Sequence, residues 1–354
     1  MKVVLLDTSY PINSRNKKIL QSIEKVFPLA EIHQVVWDRM GNSKTDVNPF
    51  VHVYNKPSPL GELWTKGKNL LGYRHFAKQI IREINPDVII ASHWDTLVIV
   101  PRLDRKRQKL IYENLDIPTG RLRFVFVLLE RMALRRTDLI IHASRFYRSL
   151  YPKRIKQIIL ENKPFFEVTD RSVYSIHRPL RIAYIGNIRY KEILFNLIDA
   201  VKGDFRLHLT FHGGGVEYEE VKTYSLGISN IEMTGTYDYK DIDKVYADVD
   251  VIWAVYPNKD FNVKYAISNK FFESIYLGIP ALFAKGTMLG DYVQENNIGQ
   301  VVDPYDVADI KRVFSQMIDG RVNLSQIADN LTAMCARQTS WDDDFAQVEA
   351  FLKQ

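Results

Sequence analysis

The sequence predicts an α/β protein made of two doubly wound parallel-sheet domains, and three observations carry this expectation. Short apolar, β-branched runs alternate with longer amphipathic ones along the chain, the pattern of parallel strands covered by helices on both faces. The alternation breaks once, at the polar, proline-bounded segment NKPFFEVTDRSVYSIHRP (162–179), and then restarts. That break reads as an interdomain crossing. The length of 354 residues exceeds one ordinary core and suits two.

The elements follow in order. VVLLD (3–7) and IHQVVW (32–37) read as buried strands, joined by DVIIAS (87–92), KLIYE (109–113), DLIIHAS (138–144) and QIILE (157–161). Amphipathic helices are expected at 16–27, 73–84 and 123–136, with a loop over 58–73 that exposes Trp64 among lysines. After the crossing come LRIAYIG (180–186), a helix to about Val201, RLHLTFHGGG (206–215), a helix to about Leu226, NIEMTG (230–235) and DVIWAVY (250–256). SNKFFESIYLGIP (268–280) supplies a helix with Ser268 as its cap and Gly278-Ile279-Pro280 as its stop. Strands at 279–284 and 299–303 and helices at 306–319, 322–338 and 341–352 close the chain. The expected domains are 1–170 and 171–340, followed by a terminal helical segment, 341–354. Ligands of such sheets bind at the carboxyl ends of the strands, here most naturally in a cleft between the domains.

Composition narrows the function classes. A single cysteine, Cys335, excludes an intramolecular disulfide and a cysteine-based zinc cluster, and suits a reducing cytosol. The N-terminal apolar run is too short for a secretory signal, and no stretch approaches the roughly 20 apolar residues of a membrane span. A cytoplasmic protein, at most peripheral at the inner face of the membrane, is expected. The net charge of +6 conceals an asymmetry. Residues 1–171 hold 30 Lys and Arg against 17 Asp and Glu, a balance of +13, whereas residues 172–354 hold 18 against 25, a balance of −7. The basic half suits an anionic membrane, a phosphorylated substrate or a nucleic acid. It carries no recognised nucleic-acid module, so no nucleic-acid partner is expected. PTGRLRFVFVLLERMALRR (118–136) and the cation cluster RLDRKRQK (102–109) read either as membrane-facing stretches or as charged outer faces of ordinary elements.

Candidate chemistry gathers at strand ends of the second half. Gly186, Asn187, Arg189 and Lys191 follow a strand and open a helix, where backbone N–H groups and cations suit an anion. The alternative is an ordinary turn with two solvated cations. His212 and Gly213, Gly214 and Gly215 end another strand, and glycine permits close approach of a ligand to the backbone. This is not the dinucleotide-binding fingerprint, so no nicotinamide cofactor is implied. Lys270 is the anomaly of its helix: it falls in the first turn, where the dipole disfavours a cation. Either it turns to water or an anion sits there. A diphosphate would be held by the dipole, the free N–H groups and the ammonium. Asn269 and Glu273 share a helix face, and the carboxylate suits a ribose diol. In the first half, His93 and Asp116 lie at strand ends, to orient an acceptor hydroxyl or to act as a cap and a turn residue.

From about 180 to 352 the chain resembles the donor domain of glycosyltransferase family 4. YIGNIRYKEILFNLIDAVK is similar to that family's first donor-domain strand end and helix, LTFHGGG to its glycine turn, and SNKFFESIYLGIPALFA to its glutamate-containing helix. SWDDDFAQVEAFL resembles the last helix, which crosses back to the first domain. The first half fits more loosely, through PDVIIASHWD, IYENLD and LLERMALRRTDLIIHASRFYRSLY. The resemblance implies the glycosyltransferase B-type fold, two Rossmann-like domains facing a cleft, with acceptor bound by the first and nucleotide sugar by the second. It implies transfer of a sugar with retention, most naturally from a UDP-sugar as co-substrate. The acceptor would be a glycan or lipid-linked molecule of cell-surface polysaccharide or glycoconjugate synthesis. By position, Glu273 matches the ribose-binding carboxylate, Asn269 and Lys270 the helix start beside the diphosphate, Gly213, Gly214 and Gly215 the turn near the donor, and Tyr237 the loop that cups the base.

The chain departs from the family at three places. Tyr265 stands where the family often has a first glutamate, Glu192 where it has a lysine, and Asn13, Ser14 and Lys17 where a glycine pair follows the first strand. No Asp-x-Asp stands at a strand end, so the expected transfer needs neither metal nor other cofactor, and Lys270, Arg189 and Lys191 are the candidates to stabilise the leaving diphosphate. Two other readings remain open: a nucleotide-sugar 2-epimerase, which shares the two-domain fold, and a non-catalytic sugar-nucleotide-binding homologue.

Overall fold

The computed structural model describes all residues except 42–47, 59–62, 101–106, 165–173 and 239–240, and of 63–66 it describes the backbone only. The chain divides into two compact units, Met1–Asn162 with Ser340–Gln354, and Lys163–Thr339. The expected boundary at 170/171, residues 102–106 of the cation cluster and the side chain of Trp64 lie outside the described residues.

In the first unit, β1 (Lys2–Asp7), β2 (Glu31–Asp38), β3 (Val51–Asn55), β4 (Val88–Ser92), β5 (Lys109–Asn114), β6 (Leu139–His142) and β7 (Lys156–Ile159) form one parallel sheet ordered β3-β2-β1-β4-β5-β6-β7. The inner strands are buried on both faces, which explains why they read as unbroken Val, Ile and Leu. Helices α1 (Ser14–Val26), α2 (Leu63–Ile84), α3 (His93–Ile99) and α4 (Arg123–Ala133) belong to the same unit. α2 begins at Leu63, not at 73, so most of the expected exposed loop is helix. Its glycines hid it. Gly72 is required by close approach, since a Cβ there would stand 2.1 Å from the Tyr54 hydroxyl of β3.

In the second unit, β8 (Leu180–Ile185), β9 (Leu207–His212), β10 (Ile231–Gly235), β11 (Val251–Trp253), β12 (Ala281–Ala284) and β13 (Gln300–Val302) form a parallel sheet ordered β10-β9-β8-β11-β12-β13. Helices α5 (Lys191–Val201), α6 (Tyr218–Ser225), α7 (Ile242–Tyr246), α8 (Asn269–Leu277), α9 (Met288–Glu295), α10 (Val307–Ile318) and α11 (Leu324–Cys335) accompany it. Both sheets reverse direction of build, between β1 and β4 and between β8 and β11. Such switch points open crevices at the carboxyl ends of the strands.

The final helix α12 (Trp341–Leu352) belongs to the first unit. Ser340 and Asp343 cap it reciprocally, and Trp341, Phe345, Val348, Phe351 and Leu352 join the core formed by β1, α1 and β5–β7. Trp341 Nε1 donates to Ser22 Oγ at 2.8 Å, and Lys25 pairs with Asp342 at 2.6 Å.

Candidate functional site

In the second unit the ends of β8, β9 and β10 are tied to one another. Gly186 N–H donates to His212 O at 2.8 Å, Gly213 N–H to Gly235 O at 2.7 Å and Ile188 N–H to Gly214 O at 2.8 Å. Gly186 (φ +124°) and Gly213 (φ +134°) adopt backbone that L side chains rarely take. A Cβ on Gly213 would lie 1.9 Å from Gly186 O, and one on Gly215 would lie 2.3 Å from Asn187 Oδ1. The glycines are there so that the turns can touch.

Lys270 completes this corner. α8 follows β11, so its first turn is placed beside the switch point. A Cβ on Gly186 would stand 3.0 Å from Lys270 Nζ, which therefore lies against the Gly186 α-carbon. The Tyr184 ring is 5.6 Å from the same nitrogen. Lys270 is only 8% exposed, and no carboxylate among the described residues pairs with it. Ser268 caps α8 with extended backbone, yet its hydroxyl bonds no N–H of the helix, and its oxygen is buried without a partner. A desolvated cation and an unsatisfied hydroxyl thus meet at the positive end of a helix. That arrangement suits an anion.

Glu273 lies one turn further along α8 and is buried. Tyr246, at the end of α7, donates its hydroxyl to Glu273 Oε2. Burial and the Glu273 carboxylate hold the Tyr246 phenol well above its usual range, so it remains a donor. Tyr237 is half-buried and close enough to act on the Tyr246 phenol, which places it in the same neighbourhood as Glu273. Asn269 is exposed at the helix start.

The cations after β8 separate. Arg189 is exposed, with its guanidinium 4.8 Å from the Tyr190 ring centre. It also acts on the Tyr184 phenol, which is raised mainly by burial and donates to Asn187 O at 2.6 Å. Lys191 has carboxylate partners of its own. Its ammonium bonds Glu220 at 2.9 and 3.0 Å and its N–H bonds Glu217 at 2.8 Å, so its side chain is held by α6. Tyr190 takes φ +68° at the start of α5, and its ring meets Tyr256 edge-on at 6.2 Å. Left-handed backbone at a non-glycine residue is strain of the kind kept at working sites. Tyr184, Tyr190 and Tyr246 were missed by sequence reasoning.

His212 is partly buried, its imidazole pKa is lowered by desolvation, and Nδ1 bonds the Thr234 hydroxyl at 2.9 Å.

The first unit has a polar cluster of its own at the β1/β4 switch point. His93 stands at φ +71° directly after β4, and its Nδ1 is 3.7 Å from Asp116 Oδ2. Beneath them, Asp7 accepts from Ser9 N–H at 3.0 Å, from Ser9 Oγ–H at 2.8 Å and from Asn16 Nδ2 at 2.6 Å. Burial raises its carboxyl despite His93 nearby. The sequence singled out His93 and Asp116 separately; they are neighbours. Among the described residues no group of three or more His, Cys, Asp or Glu is placed to hold a metal ion.

Residues 168–333 match the family model of glycosyl transferases group 1. Solved structures resemble the whole chain. Sucrose-phosphate synthase from Thermosynechococcus elongatus is 14% identical over 100% of this chain and 98% of its own, with a TM-score of 0.74. HepE of Anabaena, in complex with UDP, is 15% identical over all of both chains, with a TM-score of 0.68. UDP-GlcNAc 2-epimerase from Neisseria meningitidis, bound to UDP-GlcNAc, is 12% identical over all of both chains, with a TM-score of 0.65. No curated protein matches. Together with the two parallel sheets, these likenesses identify the glycosyltransferase B-type fold, two Rossmann-like domains.

Proposed function

We propose that this chain is a retaining glycosyltransferase that moves a sugar from a nucleoside-diphosphate sugar, a UDP-sugar by preference, to a glycan or lipid-linked acceptor. The observation that carries the reading is Lys270: a buried ammonium with no described counter-ion, set at a helix N-terminus against a glycine turn. The donor diphosphate supplies the missing charge, bound by Lys270 and by N–H groups of the first turn of α8. Glu273, with Oε2 fixed by Tyr246, offers Oε1 to the ribose diol, and Tyr237 flanks the base. In the reaction the bond from the anomeric carbon to the diphosphate oxygen breaks and one to the acceptor hydroxyl oxygen forms. The hydroxyl proton passes to the departing diphosphate oxygen as the bond forms, so the products are the glycoside and the protonated nucleoside diphosphate. Charge developing on the leaving diphosphate is stabilised by Lys270 and, from the exposed side, by Arg189, so the reaction asks for no metal ion. His93 and Asp116 are the residues of the first unit proposed to orient the acceptor hydroxyl. The uracil preference draws on the UDP held by HepE and on the family matched by residues 168–333.

Thermal unfolding with UDP, GDP and their sugars tests the donor site. A ligand at about a hundred times its Kd stabilises the folded state by about 2.7 kcal/mol. A rise with UDP or a UDP-sugar that is lost in Lys270→Ala is expected, and no rise with any nucleotide overturns the reading.

The likeness to a 2-epimerase favours a second reading, since that enzyme also holds a UDP-sugar in this fold. Incubation with a UDP-sugar alone separates the two: epimer formed without acceptor supports the epimerase, and transfer only with acceptor supports the transferase. A non-catalytic homologue, suggested by Tyr265 and by the engagement of Lys191 with Glu220, would bind donor and do neither.

A further inference from the structure

Helix α4 is built inside out. Its buried face carries a carboxylate, Glu130, which accepts from the Tyr112 hydroxyl at 2.8 Å and from the Tyr151 hydroxyl at 2.7 Å. Its outer face carries Phe124, Leu128 and Met132, which are 74%, 60% and 57% exposed. These three are four residues apart and form one stripe along the helix. Leu122 and Leu129 widen it, both exposed. Arg121, Arg131 and Arg135 are exposed on or beside the same stretch, and its one acid is the buried Glu130. A contiguous apolar stripe of this kind on a soluble domain marks a contact surface.

We propose that this face of the first unit docks on an anionic membrane surface, with Phe124, Leu128 and Met132 entering the headgroup–acyl boundary and the arginines meeting lipid phosphates. Charge selects this occupant. A second copy seated on the stripe would bring arginine against arginine, whereas an anionic bilayer complements both the stripe and its rim. The surplus of +13 over residues 1–171 adds long-range attraction toward an anionic surface. With 11 residues, α4 reaches about 16 Å, roughly half the hydrocarbon thickness, so it lies on the membrane. None of the described helices is long and apolar enough to cross one. This inference is independent of the chemistry proposed above.

Flotation of the full chain with vesicles tests it. The chain should bind vesicles of phosphatidylglycerol and phosphatidylcholine at about 50 mM salt, and lose about tenfold or more in binding at about 500 mM salt or on phosphatidylcholine alone. The double substitution Phe124→Ser, Leu128→Ser should weaken binding by about tenfold with the unfolding midpoint unchanged. Arg131→Glu with Arg135→Glu, at two exposed positions, should remove most of the salt-sensitive part. No binding to anionic vesicles at low salt overturns the proposal, as does full binding by both double variants. A dimer in solution that Phe124→Ser, Leu128→Ser converts to monomer would assign the face to a second copy instead.

Discussion

Lys270 is a cation where both the helix dipole and burial oppose one, and that double disfavour is what a ligand-binding position should show in the unliganded chain. Lys270→Met keeps the length of the side chain and removes the charge. The unliganded protein should then be no less stable, by thermal unfolding, while the rise with UDP disappears and turnover falls by about a hundredfold or more. A marked loss of stability without ligand would instead make Lys270 a structural residue. Gly186→Ala tests the other side of the contact. The new Cβ would press on the ammonium and sit at φ +124°, so a cost of about 1–3 kcal/mol and a weakened response to nucleotide are expected. An unfolding midpoint and a nucleotide titration equal to those of the parent would show that the turn relaxes without consequence. Lys270 was legible in the sequence because the helix start at Ser268 and the stop at Gly278 could be read. The stop is realised as a left-handed Gly278 whose N–H bonds Ser274 O. Tyr246 was not legible, because its distance of 27 residues from Glu273 is closed by tertiary folding and leaves no periodic trace.

At the scale of elements, the buried parallel strands were the easiest to read, since both faces are apolar and bounded by polar residues. The edge strand β3 was missed: VHVYN is half-buried and alternates histidine with apolar residues. Helix α3 was missed because its seven residues, HWDTLVI, are too few to show a helical period, and α2 was shortened by its two glycines. One trait of the far strands could not be read from any window. His142 at the end of β6 accepts from Asn114 Nδ2 of β5 through Nδ1 at 3.0 Å, so its proton lies on Nε2, which meets Gln157 Oε1 of β7 at 2.8 Å. The neutral ring satisfies both neighbours, and burial lowers its pKa to about 4. The folded chain therefore binds fewer protons at this site than the unfolded chain, whose histidine titrates near the ordinary value. Stability from His142 is complete above about pH 6.5 and is lost as pH falls toward 4, by about 3 kcal/mol at most. Asp7, Glu113 and Glu130, all raised by burial, act in the opposite sense. The measurement is thus a difference: His142→Gln should narrow its stability deficit against the parent as pH falls from 7 to about 4.5 in denaturant titrations. A deficit that stays constant across this range would remove His142 as a titrating group.

For the whole molecule, the chain order hides the division of labour between cores. The first unit is finished by the last fifteen residues of the chain, after the second unit has been completed. Trp341 shows how far the first core depends on them. It is 2% exposed, donates to Ser22 in α1, and carries the Lys18 ammonium 4.1 Å from its ring centre and the Arg15 guanidinium 5.6 Å away. Arg15 in turn pairs with the fully buried Glu113 at 2.5 Å, at the end of β5. Removing the indole opens a large cavity and exposes a cation pair that it shields, so Trp341→Ala should cost about 3–5 kcal/mol. The loss should be concentrated where the ring packs, seen as faster amide hydrogen exchange in α1, α12 and the strands of the first sheet, with a lower unfolding midpoint. Trp341→Phe retains the ring and most of the volume but not the bond to Ser22, and should recover more than half of the loss. Exchange in α1 and α12 that matches the parent in Trp341→Ala would mean that the terminal helix covers the first core without holding it together.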